Sequence, residues 1–348
     1  MHVLITGNMG YVGPILVRHL RARFPQARLS GFDAGYFAEC RTIPGDPAET
    51  LLDAQHLGDV RHMPDAVFEG VDAVVHLAAI SNDPMGHRFE AVTEAINRDS
   101  SVRVAEQAHR AGVRAFAFAS SCSVYGFAEG GARREDDALN PLTAYARSKV
   151  GTEIALRERG FPGMTVTCLR FATACGMSDR LRLDLVLNDF VASALASGEI
   201  TVLSDGTPWR PLIDVRDMAR AIEWAITRPP EQGGAFLVVN AGSDERNHQV
   251  RELAESVAAM VGGTRVSINT SAPPDRRSYR VDFSLFRSLA PGHLPREGLS
   301  DSIEGLIAGL RAVGFADRAF RESQNIRLKS LTDHLDAGRL SPDLRWVR

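Results

Sequence analysis

Short hydrophobic runs recur along the first half of the chain, and each breaks into small or polar residues before a helical pattern begins. Val3-Leu4-Ile5-Thr6 gives way to glycines and then to a helical pattern over Ile15–Phe24. Ala27–Asp33, Val71–Ala79, Ala115–Gly126 and Thr165–Phe171 repeat the strand signature. Strands that alternate with helices predict an α/β fold, a Rossmann-type doubly wound parallel sheet. That domain is expected over residues 1–172 plus about 212–242, with the strand Ala235–Asn240 returning to the main sheet. Residues 34–57 are polar and punctuated by proline, which predicts a loop or irregular segment. About 173–211 plus 243–348 are expected to form a smaller, mostly C-terminal substrate-binding lobe, whose last 35 or so residues read as a terminal helix or two without assignable chemistry.

Composition narrows the function classes. A chain of 348 residues with 24% charged and 44% hydrophobic residues is an ordinary globular one. Its formal charge of −3 and the lack of a basic stripe argue against nucleic acid as a partner. No apolar run approaches membrane-spanning length, so no membrane is expected either. No basic region and apolar core precede the first strand, and no signal peptide is expected. Cys40, Cys122, Cys168 and Cys175 lack metal-ligand spacing and read as free thiols in a reducing compartment. The expectation is a cytoplasmic protein without a metal.

The glycines at 7, 10 and 13 sit between a strand and a helix, the context in which such spacing lets a backbone approach a pyrophosphate. The amides and dipole of the helix start then hold the negative charge, and Pro14 falls in the first turn, where its missing N–H costs little. Asp33 ends the next strand about 20 residues on, the position from which a carboxylate accepts from an adenosine ribose and repels a 2′-phosphate. NAD is therefore favoured over NADP. Asp59 is placed to reach an adenine amino group, with an ordinary turn as its alternative reading. His76, inside a buried strand, reads as structural. Asn82, in Ser81-Asn82-Asp83-Pro84, falls in a turn near substrate. Ser120, Ser121 and Ser123 put hydroxyls at the C-terminal edge of a parallel strand, where ligands bind.

Tyr145-Ala-Arg-Ser-Lys149 carries the candidate chemistry. On a helix, residues four apart share a face, so the Lys149 ammonium lies near the Tyr145 phenol and should favour the phenolate. Moving a phenol from pH ~10 towards neutrality takes roughly 3 units, or about 4 kcal/mol. Of the 40 Lys+Arg residues only Lys149 and Lys329 are lysine, so a chain written in arginine has kept a point charge here. In the later half, Gly206-Thr207-Pro208-Trp209-Arg210 and Asp275-Arg276-Arg277 offer arginines that can clamp a diphosphate.

This constellation resembles the extended short-chain dehydrogenase/reductases, in the NAD-dependent epimerase/dehydratase branch that acts on nucleotide sugars. The resemblance runs from residue 1 to about 310 on Thr6-Gly7-x-x-Gly10-Tyr11-x-Gly13, Asp33, Asp59-Val60, His76-Leu77-Ala78-Ala79, Asn97, Ser120-Ser121-x-x-Val124-Tyr125-Gly126, Tyr145-x-x-x-Lys149, Arg170-Phe171 and Gly206-Thr207-x-x-Arg210. It implies that Gly7, Asn8, Met9, Gly10, Tyr11, Val12 and Gly13 cradle the cofactor pyrophosphate, and that Asp33 holds the ribose. Asp59 and Val60 would contact adenine, with Leu77, Ala78, Ala79, Asn97 and Phe171 lining the cofactor. Tyr145 would be the acid/base, Lys149 would hold the nicotinamide ribose, and Ser121 would share the proton of the substrate oxygen. Asn82, Ser121, Ser123, Thr173, Asn188 and Arg210, with Arg276 or Arg277, would bind substrate.

Departures from the family pattern inform the reaction. Sugar 4,6-dehydratases usually carry Asp and Glu after this serine, where Cys122 and Ser123 stand here, so dehydration is disfavoured. Cys122 also stands three residues before Tyr125, not two as in the 3,5-epimerising reductases. The expectation is a nucleotide-sugar 4-epimerase passing through a transient 4-keto sugar on bound NAD. A NAD(P)H-dependent nucleotide 4-ketosugar reductase is the alternative, and a dehydratase or a non-catalytic cofactor-sensing regulator is further off. A homodimer is the family habit.

Overall fold

The computed structural model describes residues 1–128, 130–272 and 278–347. In chain order the strands are β1 His2–Thr6, β2 Arg28–Asp33, β3 Ala54–Leu57, β4 Ala73–His76, β5 Ala115–Ser121, β6 Thr165–Phe171, β7 Thr173–Cys175, β8 Glu199–Val202, β9 Trp209–Asp214, β10 Phe236–Ala241, β11 Asn247–Gln249 and β12 Arg265–Ile268. Seven of them make one sheet in the order β10-β6-β5-β4-β1-β2-β3, with every pairing parallel. The order reverses at β1, between β2 and β4, which is the switch point of a doubly wound fold.

Residue alternation along the strands builds two cores from one sheet. Val3 and Ile5 of β1, with Ala73 and Val75 of β4, face one side, where helices Gly13–Arg23 and Val215–Thr227 supply Leu16, Leu20 and Met218. Leu4, Val74, Phe116 and Phe118 face the other, against Val104 and Ala108 of helix Ser100–Arg110 and Leu156 of helix Ala144–Arg159. Burial on both faces is what a run without polar alternation specifies.

Two smaller sheets, β11-β9-β7 and β12-β8, lie outside the main one. Two sequence expectations need correction here. The segment expected as a loop or irregular segment over 34–57 ends in β3, an edge strand whose Ala54-Gln55-His56-Leu57, half-buried at its start and exposed at its end, carries no hydrophobic signature. The tail, grouped by sequence with the second lobe, packs instead on the first half. Leu331, Leu340 and Leu344 join the core of Leu4, Phe32 and Val60.

Candidate active site

A cavity of about 890 Å³ runs along the C-terminal edge of the large sheet. Gly7, Asp33, Leu77, Ser121 and Phe171, which end or follow β1, β2, β4, β5 and β6, all line it. In a parallel sheet that edge gathers the ligand-binding loops.

The nucleotide end begins with Gly7, whose φ of +74° is a left-handed conformation. A Cβ there would lie 2.6 Å from the Ala78 amide nitrogen, so the ends of β1 and β4 approach as closely as backbone allows. At Gly13 a Cβ would fall 2.1 Å from the Asn8 carbonyl oxygen, which fixes how tightly the first helix sits under the turn. Asp33 accepts from the Met9 amide at 2.9 Å and the Gly35 amide at 2.7 Å. Each oxygen keeps a lone pair, and burial pushes its pKa up from the ordinary carboxylate value despite those two donors. A glycine-floored cradle beside a carboxylate that can still accept fits a dinucleotide with free ribose hydroxyls.

The reactive end is built by helix Ala144–Arg159. Thr143 caps it, its hydroxyl accepting from the Ala146 amide at 3.1 Å and donating to Asp83 at 2.7 Å. Tyr145 and Lys149 share the helix face beside β5, with the ammonium 5.5 Å from the Tyr145 ring centroid and 4.7 Å from that of Phe118. Lys149 donates to the Ala119 carbonyl at 2.7 Å, one strand position from Ser120.

The electrostatics correct the simplest expectation. Burial dominates Tyr145 and pushes its pKa up to about 12, although a hydrogen bond with the Ser121 hydroxyl and the charge of Arg182 pull it down. Burial likewise brings Lys149 down to about 7, with Glu153 opposing. Without ligands the pair therefore favours a neutral phenol, because both groups have lost water before any compensating charge arrives. His76, between the Thr6 hydroxyl at 2.8 Å and the Ser101 hydroxyl at 2.9 Å, is brought down to about 3 by burial and by Lys149. It is a structural histidine, as its strand context suggested.

Beneath Lys149 lies a buried polar layer. Glu153 accepts from the Ser120 hydroxyl at 2.5 Å and from Arg170 at 2.7 Å, and Arg170 also donates to the Tyr125 hydroxyl at 3.0 Å. Cys122 turns away from the cavity, its thiol donating to the Arg170 carbonyl at 3.1 Å, and burial pushes its pKa up strongly. Ser123 does line the cavity, and its buried hydroxyl finds no partner among the described residues.

Other expected site residues divide clearly. Gly10, Tyr11, Val12, Asp59, Val60, Ala78, Ala79, Asn82, Thr173 and Arg210 line the cavity. Asn8, Met9, Gly13, Asn97 and Asn188 do not. Asn97 works from behind, exchanging hydrogen bonds with the Ile80 backbone at 2.8 and 2.9 Å and holding Ser148 at 3.1 Å. Asn188 spends its amide on Gly176, the Tyr11 hydroxyl and the Arg182 carbonyl. Asp59 is gripped by Arg61 at 2.6 Å, which against the cost of burial holds its pKa below the ordinary value. Asn82 caps a helix and donates to Asp184 at 2.6 Å. Arg276 and Arg277 lie outside the described residues.

Sequence reasoning missed a charged wall. Arg182 donates to both oxygens of Asp184 at 2.9 Å and reaches the Ser81 hydroxyl at 3.1 Å. Arg321 does the same to Asp189, at 2.9 and 2.7 Å, and these four residues with Arg327 line the cavity. The signal available was Arg180-Leu181-Arg182-Leu183-Asp184, where opposite charges two apart alternate with leucines that must be buried.

Fold and site together define a dinucleotide-binding protein of the Rossmann class with a tyrosine–lysine pair at the reactive end of its cavity. Residues 3–242 match the sequence profile of the NAD dependent epimerase/dehydratase family, and the chain belongs to that family. It is 29% identical over 323 residues to "Uncharacterized UDP-glucose epimerase YtcB" of Bacillus subtilis, covering 90% of this chain and 99% of the relative. It is 27% identical over 318 residues to a dTDP-glucose 4,6-dehydratase of Streptomyces griseus, covering 88% and 93%. Among solved structures, MoeE5 in complex with UDP-glucuronic acid and NAD superposes with a TM-score of 0.76 at 26% identity, covering 90% of this chain and 99% of that one.

Proposed function

We propose that the chain is a nucleotide-sugar 4-epimerase that works on tightly held NAD. The observation that carries this reading is the composition of the reactive end. Tyr145, Ser121 and Lys149 line one cavity, while positions 122 and 123 hold a thiol turned into the core and a serine. That set moves a proton on and off a sugar hydroxyl, and it lacks the acid and base that removal of water requires at those two positions.

When bound, NAD would supply the hydride acceptor at C4 of the sugar. The rest falls to this chain. The Ser121 hydroxyl bridges the reacting oxygen and Tyr145 and lowers the Tyr145 pKa, so that Tyr145 as the phenolate takes the hydroxyl proton and, as the phenol, returns it. Lys149 holds the nicotinamide ribose, and Asp33 with the Gly7–Gly13 turn holds the adenosine half. Arg210 grips the diphosphate, and Ser123 and Thr173 meet the sugar. Two copies associate through the face of helix Ala144–Arg159 that leaves Ile154 exposed.

The test is proton NMR of UDP- and dTDP-linked hexoses incubated with purified protein and no added cofactor. Interconversion of C4 epimers without net redox change supports the proposal. Stoichiometric consumption of NADH or NADPH would instead indicate a 4-ketosugar reductase, and a 4-keto-6-deoxy product a dehydratase.

A further inference from the structure

Arg327 opens helix Arg327–Asp336 and is 1% exposed, yet it lines the cavity. Its guanidinium donates to the Arg180 carbonyl at 2.7 Å, reaches the Gln324 carbonyl only at 3.5 Å, and stacks 4.7 Å from the centroid of Phe37. Among the described residues no carboxylate pairs with it. Asp184 acts on it only at longer range, being already bound to Arg182 through both oxygens. Burial brings its pKa down to about 10, as expected of a cation that has lost water without gaining a counter-ion.

The other buried arginines set the contrast. Arg61, Arg170, Arg180 and Arg182 each hold a carboxylate. Among the described residues Arg228 and Arg246 hold none: Arg228 spends its donors on the carbonyls of Val166, Gln232 and Gly234 and on the Thr167 hydroxyl, and Arg246 donates to the Glu297 carbonyl at 2.9 Å and the Ser302 hydroxyl at 3.2 Å, and neither lines the cavity. Arg327 has one short contact and unspent donors beside a ligand cavity. Its place is also fixed, because the tail is tied to the loop after Asp33. Trp346 donates to the Ala34 carbonyl at 2.6 Å, Tyr36 donates to the Leu344 carbonyl, and Arg61 reaches the Asp343 carbonyl at 2.8 Å.

We infer that Arg327 is a diphosphate-binding residue, so that the C-terminal segment supplies part of the ligand site. The missing counter-ion is the diphosphate of a nucleotide, whether from the adenine dinucleotide or from the nucleotide sugar. The inference rests on the functional reading only in its choice of ADP and UDP as probes.

Titration calorimetry of ADP and adenosine against protein stripped of NAD, and of UDP and uridine against NAD-loaded protein, for wild type, R327M and R327K, tests it. R327M should lose about 10- to 100-fold in affinity for ADP or for UDP, the affected one naming the source, with the matching nucleoside unchanged. R327K keeps the charge but not the planar fork and should lose less. If R327M does not fold, R327K carries the test, with ADP or UDP weakened several-fold relative to its nucleoside. Equal losses for nucleotide and nucleoside, or none at all, would overturn the inference. Wild-type protein that binds neither nucleotide would instead sink the functional reading.

Discussion

Replacing Lys149 with methionine removes an ammonium that folding strips of water, and the pH dependence of stability should register the loss. The lysine's folded pKa, about 7, lies below its ordinary 10.5. Between those values the unfolded chain binds more protons than the folded one, so the lysine makes wild-type stability rise with pH across this window. Its penalty is fully present below pH 7 and disappears above about 10.5, with a ceiling of about 5 kcal/mol. From pH 7 to pH 9 it should fall by about 2 kcal/mol. For a chain of this length that is roughly 3 °C in thermal midpoint. The assay is differential scanning calorimetry of ligand-free wild type and K149M at closely spaced pH values. Other groups titrate in both proteins, so the difference between the two curves isolates the lysine. The wild-type midpoint should climb relative to K149M. Parallel curves would refute the claim that Lys149 is a buried cation paying a desolvation cost.

Further consequences follow from individual contacts. Gly13→Ala places a methyl 2.1 Å from the Asn8 carbonyl oxygen and should cost about 2–3 kcal/mol in urea unfolding, together with weaker NAD binding by calorimetry. Ser121→Ala should lower kcat about 10²-fold with little change in KM, because its hydroxyl acts on the reacting oxygen and on Tyr145. All four cysteines are buried, and burial raises the pKa of Cys122, Cys168 and Cys175, so Ellman's reagent should titrate no fast-reacting thiol until denaturant is added.

What the sequence disclosed was local chemistry. The glycines at 7, 10 and 13, the carboxylate at 33 and the four-residue Tyr145–Lys149 spacing are short-range patterns, and helix Ala144–Arg159 and strands β1, β2, β5 and β6 stand where those patterns put them. What it hid depends on packing. Arg321 meets Asp189 across 132 positions, and Arg327 meets Arg180 across 147, so neither leaves a local trace. β3 was invisible because an edge strand of four residues, two half-buried and two exposed, needs no hydrophobic run. The direction of the Tyr145 shift was hidden for a related reason. Spacing tells which charge is near, whereas burial, the larger effect here, depends on how distant parts of the chain pack around the phenol.

The most direct measurement is turnover by Tyr145→Phe purified with the same NAD content and thermal midpoint as wild type. With the nucleotide hexose that wild type epimerises, the variant should lose at least about 10³-fold in kcat, since it lacks the phenol that hydrogen-bonds with Ser121. Tyr145→Phe turning over at the wild-type rate with its cofactor in place would contradict the assignment of the reactive centre.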